Sequence, residues 1–465
     1  MRFFRGLALF LLGCASTVQA QLPPAVLHAL KSADIPAAAV AVVVRPAAGG
    51  NAALAHRAGQ PMNPASLMKL VTTAAALELL GPVHTWRTEA LADTTPDSHG
   101  VLAGDLYLRG SGDPKLTYDR LWLLLRELRG RGLREIRGNL VLDRSAFAAP
   151  EHDPAAFDGK PLRPYNVGPD ALLFNFATLH LTLIPAGRAV RVLADPLPAD
   201  FEVINRLQPD DKAECGDWRE RLDAQLTPAR LTLSGTFPAA CGEKRWHLAG
   251  LENAALLHGV FTRLWRELGG EFSGRWQEGP TPAAAGVLAV SESPALGELV
   301  RDINKYSNNV MARQLFLKLG SGETALADKN IRAWLARKGL DFPGLVLDNG
   351  SGLSRRERIS AGHLARLLAT VWGSPIMPEL MASLPIVAFD GTAKTHYNGV
   401  AYAGQAHLKT GSLEGVRAIA GYLLDREGRR HIVVFIVNHP NAARAQPAFD
   451  ALLDGLWRGA SRGPA

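Results

Sequence analysis

Hydrophobic and polar positions follow two different rhythms along this chain of 465 residues. Residues 22–32 carry a helical pattern, and the early Pro23-Pro24 suits a first turn. Residues 37–44 are an unbroken apolar, valine-rich run, the pattern of a buried strand. Gly49-Gly50-Asn51 reads as a hairpin turn, with residues 52–56 as the return strand. The clearest helix follows. Asn63 is a good N-cap, Pro64 suits the first helical position, and Leu67, Leu70, Val71, Ala74, Leu77 and Leu80 keep a 3.6-residue period until Gly81-Pro82 ends it.

From about residue 85 to 287 the rhythm changes to short alternating segments, at 104–109, 138–143, 178–184, 189–194 and 230–234, separated by turn residues. After residue 287 helical periods return, at 296–304, 309–319 and 324–338, with Thr324 as a candidate N-cap for the last. Strands are predicted at 405–412, 416–424 and 431–437, and a closing helix at 443–457. The pattern therefore predicts an α/β (α+β) chain. Residues 21–85 and 288–465 form one domain, and 86–287 is a large β-rich insertion of one or two smaller domains.

Composition narrows the class. Hydrophobic residues at 47% and charged residues at 20% supply real cores and exclude wholesale disorder. The net charge of +7 suits an acidic polymer or a membrane surface. It does not indicate nucleic acid, because Lys and Arg form no run of five and no nucleic-acid motif is present. Residues 1–20 have the layout of an export signal: Arg2 and Arg5, the apolar core 7–12, and Val18-Gln19-Ala20 at the cleavage positions. A rival reading takes Leu11-Leu-Gly-Cys14 as a lipidation box, but the apolar core before it is short. No segment has about 18 uninterrupted apolar residues, so no transmembrane span is expected; peripheral membrane contact stays open. Cleavage after Ala20 leaves Cys215 and Cys241, an even pair that an oxidising compartment would join as a disulfide. Neither has a Cys or His partner at metal-ligand spacing, and the thirteen histidines form no evident metal pair, so no metal or cofactor is implied.

Three short motifs carry candidate chemistry. In Ser66-Leu-Met-Lys69, serine and lysine three apart on a helix share one face. Near a helix N-terminus developing negative charge is stabilised, and a partly desolvated lysine there has a depressed pKa and can take the hydroxyl proton. Alone the motif is equally a capping serine beside a solvated lysine. In Ser307-Asn308-Asn309, a hydroxyl and an amide two residues apart can relay a proton and hold a carbonyl; the plain alternative is a helix cap. In Lys409-Thr410-Gly411-Ser412, a lysine and two hydroxyls on a strand can bind a carboxylate, and Gly411 permits close backbone approach; the plain alternative is an edge strand with a protective lysine.

The order of the three is more specific than any one of them. S-x-x-K, then S-x-N, then K-T-G is the motif set of penicillin-binding proteins and class A β-lactamases. The chain resembles class C low-molecular-mass penicillin-binding proteins, the D-alanyl-D-alanine carboxypeptidase/endopeptidase family, over essentially its whole mature length. The stretches Asn63-Pro-Ala-Ser-Leu-Met-Lys69, Leu108-Arg-Gly-Ser-Gly-Asp-Pro114, Asp348-Asn-Gly-Ser-Gly-Leu-Ser354 and Phe389-Asp-Gly-Thr392 add to the likeness. The middle motif departs slightly, reading Ser-Asn-Asn in place of Ser-Asp-Asn.

The resemblance implies a transpeptidase-like domain, an antiparallel sheet flanked by helices, interrupted between the first and second motifs by two nested β-rich domains. It implies a periplasmic enzyme that cuts peptidoglycan peptides ending in D-Ala-D-Ala and is acylated by β-lactam antibiotics. Ser66 would be the nucleophile and Lys69 the base. Ser307 would relay the proton, and Asn309 would hold the acyl-side amide. Lys409, Thr410 and Ser412 would hold the terminal carboxylate, and the backbone N–H groups of Ser66 and Ser412 would form the oxyanion hole. Two rivals stay open: a non-catalytic peptidoglycan scaffold, and a β-lactamase or esterase of the same fold. Ser351 and Asp390 read as turn residues, and His407 as a strand histidine on the face of Lys409.

Overall fold

The valine-rich run near the start of the chain pairs with a strand from its far end. In the computed structural model, which describes residues 21–148, 152–397 and 399–459, a five-stranded antiparallel sheet has the order Ala406–Leu413, Val416–Leu424, Arg430–Asn438, Val40–Pro46, Leu54–His56. The proposed export signal and Cys14 lie outside the described residues. Side chains alternate across the sheet, so each apolar strand feeds two cores. Val40, Val42, Val44, Phe435 and Ile419 point to the face covered by helices Pro24–Ser32 and Gln446–Trp457. Ala41, Val43, Ala420, Val434 and Ile436 point to the other, where Met68–Leu79, Leu296–Lys305, Asn309–Lys318 and Ala361–Trp372 pack. Among the described residues no helix is long and apolar enough to cross a membrane.

A separate core forms from residues 90–289. It holds a second five-stranded sheet, in the order Trp276–Glu278, Leu140–Asp143, Leu106–Gly110, Arg87–Ala92, Gly286–Glu292, and three-stranded sheets that include Leu179–Ala186 and Arg230–Pro238. The alternating segments are strands as expected. The region also contains two long helices that this reading left out, Tyr118–Gly130 and Asn253–Glu267, and both bury leucines at helical spacing in the same core. Cys215 and Cys241 are joined, with Cα atoms 4.7 Å apart.

Two helix starts differ from expectation. The helix expected from Pro64 begins at Met68, preceded by a 3-10 turn, Ala65–Leu67. Ala65 has φ +47°, which no α-helix contains. Asn63 therefore caps a turn, accepting from Ala65 N at 2.9 Å, and its amide donates to the Ser354 carbonyl. The cause is crowding. A Cβ at Gly352 would lie 2.0 Å from the Ala65 carbonyl oxygen, and one at Gly411 would lie 2.8 Å from that of Pro64, so both segments press on this turn. Thr324 is the first residue of its helix, not the cap.

Candidate active site

The three motifs meet between the edge strand Ala406–Leu413 and the helices Met68–Leu79 and Asn309–Lys318. Ser66 sits in the 3-10 turn, half-buried, just ahead of the helix that carries Lys69. Lys69 is fully buried. Its Nζ lies 3.1 Å from Ser66 Oγ and 2.5 Å from Asn309 Oδ1, and donates to the Ser351 carbonyl. This is not a solvated lysine beside a capping serine. Burial, then the nearby Lys409 cation, push its pKa well below the usual lysine value, while Glu357 pulls the other way and Arg313 adds to the lowering. A buried lysine whose proton is disfavoured, set against a serine hydroxyl, is the arrangement that general-base activation requires.

Ser307 and Asn309 flank a helix start. Asn308 is the N-cap, its Oδ1 accepting from Met311 N at 3.0 Å, so the capping reading holds for the middle residue. Its neighbours are left to face the site. Ser307 has φ +56° and receives Lys409 Nζ on its hydroxyl at 3.0 Å. Lys409 lies on an edge strand but is fully buried, so it is not a solvated guard of that edge. Burial brings its pKa down to about 7. Its Nζ also donates to the Thr410 carbonyl at 2.8 Å.

The remaining strand residues divide by face. Gly411 packs on the turn that carries Ser66, near Pro64 O and Ser66 N, so its missing side chain serves close packing within the protein at this point. Thr410 Oγ1 pairs with Thr392 Oγ1 at 2.6 Å, and Ser412 is exposed at the strand end. His407 is half-buried, and desolvation lowers its pKa. Asp390 Oδ2 accepts from the buried Lys305 at 2.5 Å, and its other oxygen accepts from Ile386 N. A cleft of about 750 Å³ opens beside Tyr306, Ser307 and Asn309 and is lined also by Lys115, Tyr165 and His180. Among the described residues no cluster of His, Cys, Asp or Glu has the makings of a metal site.

The model of the D-Ala-D-Ala carboxypeptidase 3 (S13) family matches residues 24–458. The chain belongs to that family. It is a serine peptidase of the D-Ala-D-Ala carboxypeptidase kind. It is 30% identical over 433 residues to a D-alanyl-D-alanine carboxypeptidase of an Actinomadura species, covering 87% of this chain and 78% of that one. To the D-alanyl-D-alanine carboxypeptidase DacB of Haemophilus influenzae it is 26% identical, over 80% of each chain. The crystal structure of penicillin-binding protein 4 (dacB) from Haemophilus influenzae superposes with a TM-score of 0.75, at 24% identity, covering 93% of this chain and 99% of that one.

Several groups at the site were not singled out in the sequence as functional. The Ser351 carbonyl anchors Lys69, Thr392 pairs with Thr410, and Glu357 lies buried under the 348–350 loop. The signal for the first two was the likeness of the stretches 348–354 and 389–392 to the family. For Glu357 there was none, because its role depends on which backbone amides surround it.

Proposed function

We propose that this protein is a serine D-alanyl-D-alanine carboxypeptidase whose nucleophile is Ser66. The observation that carries the reading is the fully buried Lys69, with its Nζ 3.1 Å from Ser66 Oγ. Ser66 Oγ attacks the carbonyl carbon of the penultimate D-alanine while its proton passes to neutral Lys69. The resulting oxyanion is held by the backbone N–H groups of Ser66 and Ser412, often the largest single term in such chemistry. The peptide C–N bond then breaks, and a proton delivered through Ser307 leaves with the D-alanine amine. Water cleaves the Ser66 ester and regenerates the hydroxyl. Asn309 orients the acyl-side amide. Lys409, with Thr410 and Ser412, receives the terminal carboxylate of the substrate.

In this reading residues 21–85 and 288–465 make the catalytic domain, and 86–287 is inserted into it. The substrate is a peptidoglycan peptide ending in D-Ala-D-Ala, met in the periplasm after export. β-Lactams, which mimic that terminus, acylate Ser66. The family likeness extends to endopeptidases, which cut a similar bond with a larger leaving group. The test is to supply a D-Ala-D-Ala pentapeptide and a cross-linked dimer in parallel. Release of free D-alanine from the first supports the carboxypeptidase reading; cleavage of the dimer alone replaces it with an endopeptidase.

A further inference from the structure

One buried acid stands behind the Ser66–Lys69 pair. Glu357 meets no solvent, and its Oε1 accepts from three consecutive backbone amides, Asp348 at 3.3 Å, Asn349 at 3.1 Å and Gly350 at 3.0 Å. Its Oε2 is buried without a hydrogen-bond partner among the described residues. A buried carboxylate is costly unless its surroundings repay it, so a half-satisfied one inside a site calls for an account.

The loop it holds touches both members of the pair. Gly350 O accepts from Thr72 Oγ1 at 2.7 Å, which ties the loop to the helix carrying Lys69. The next carbonyl, Ser351 O, is an acceptor for Lys69 Nζ. The next residue, Gly352, lies so close to the nucleophile turn that a Cβ there would sit 2.7 Å from Ser66 Cα. Three successive residues thus fix the helix, the base and the nucleophile, and Glu357 grips the backbone from which they project.

We propose that Glu357 is a positioning residue for the Ser66–Lys69 pair: it holds the 348–352 backbone so that the Ser351 carbonyl keeps Lys69 Nζ on Ser66, and its carboxylate supplies the negative charge that balances the buried cations of the site. The proposal rests on the reading of Ser66 as nucleophile and Lys69 as base. The charged groups that bear on Lys69 are Lys409 and Arg313, which disfavour its proton, and Glu357, which favours it. Burial pushes the Glu357 pKa up and Asp348 beside it adds to that as a like charge, while the three loop amides on its carboxylate favour the charged form. Glu357 is therefore the counterweight that keeps Lys69 from losing its proton too readily, which would leave it too weak a base. It acts through Lys69 and touches no substrate.

The experiment measures acylation by a fluorescent penicillin against pH in the wild type, Glu357→Gln and Glu357→Asp, with the Tm of each. Glutamine keeps the shape and one acceptor oxygen but removes the charge. Acylation requires neutral Lys69, so its rate rises with pH through the Lys69 pKa. Removing a negative charge lowers that pKa, and the acid limb of the Glu357→Gln profile moves to lower pH. The plateau rate falls roughly ten- to a hundredfold, the scale of a displaced catalytic group. Glu357→Asp keeps the charge and with it the wild-type position of the limb; it also serves as the test if Glu357→Gln fails to fold, since charge retained with the grip lost predicts a lower plateau on an unmoved limb. A lower Tm with an unmoved limb and unchanged plateau in the folded variants overturns the proposal. If the wild type itself is not acylated on Ser66, the underlying reading fails instead.

Discussion

Lys409 Nζ donates to Ser307 Oγ at 3.0 Å from a side chain that meets no solvent. That contact joins two motifs a hundred residues apart in the chain and places a second lysine–serine pair beside the first. Burial disfavours the charge on both lysines, and Lys409 further disfavours the proton on Lys69. A site so built has an electrostatic cost, and the cost depends on pH.

The sign follows from linkage. The folded-state pKa of Lys409 is about 7, against 10.5 for the free side chain. Between those values the unfolded chain binds more protons than the folded one, so this group's contribution to stability rises with pH across the window and is lowest below pH 7. Lys409→Met removes the buried charge. Its Tm relative to wild type is expected to be most favourable at or below pH 7 and to lose that advantage steadily toward pH 10. Thermal melts across that range check it; a difference constant with pH contradicts the assignment.

The proposed base, Lys69, can be replaced without opening the core. Lys69→Met fills the same buried space but cannot accept the Ser66 proton. Penicillin acylation is expected to slow by about 10²–10⁴-fold, the usual worth of general-base assistance, while far-UV circular dichroism stays that of the wild type. Stopped-flow or mass-resolved acylation gives the rate.

Gly352 tests the packing against the Ala65–Leu67 turn that carries Ser66. It has φ +83°, and a Cβ would lie 2.0 Å from the Ala65 carbonyl. Gly352→Ala is expected to cost about 2 kcal/mol or more, from backbone strain and steric overlap together. It is also expected to reduce acylation, because the turn that must shift carries Ser66. Denaturant unfolding and penicillin labelling measure the two effects.

These contacts mark where the sequence was legible and where it was not. The strands that cross two cores were readable because every position in 40–44 and 432–437 is apolar. The motif residues were readable as types in an order. The helix was expected to start at Pro64 and not at Met68 because local signals, Asn63 and Pro64, favour a cap, whereas Gly352 and Gly411 press on the turn from distant parts of the chain. Helices Tyr118–Gly130 and Asn253–Glu267 were overlooked although Leu121, Leu124, Leu125 and Leu128 keep helical spacing, because strand signals dominate around them. Glu357 was unreadable, since an isolated glutamate in Arg-Arg-Glu-Arg has every mark of a solvated surface residue.

The disulfide belongs to the separate core of residues 90–289, whereas Ser66, Lys69 and Lys409 lie outside it. Closing a loop of 26 residues is worth about 3.5 kcal/mol in the chain-entropy model. A Cys215→Ala/Cys241→Ala double variant is expected to unfold at lower temperature, yet to be acylated by penicillin at the wild-type rate at 25 °C. Calorimetry with parallel labelling checks both halves; a matching loss of acylation would mean that the core of residues 90–289 supports the site more directly.

The central claim is that Ser66 is an activated nucleophile. The most direct measurement incubates the mature protein and a Ser66→Ala variant with fluorescent penicillin and locates any adduct by mass. The account predicts a stable adduct of one penicillin on the wild type, mapped to the peptide holding Ser66, and none on the variant. No labelling and no drug hydrolysis by the wild type, or equal labelling of both proteins, would contradict it.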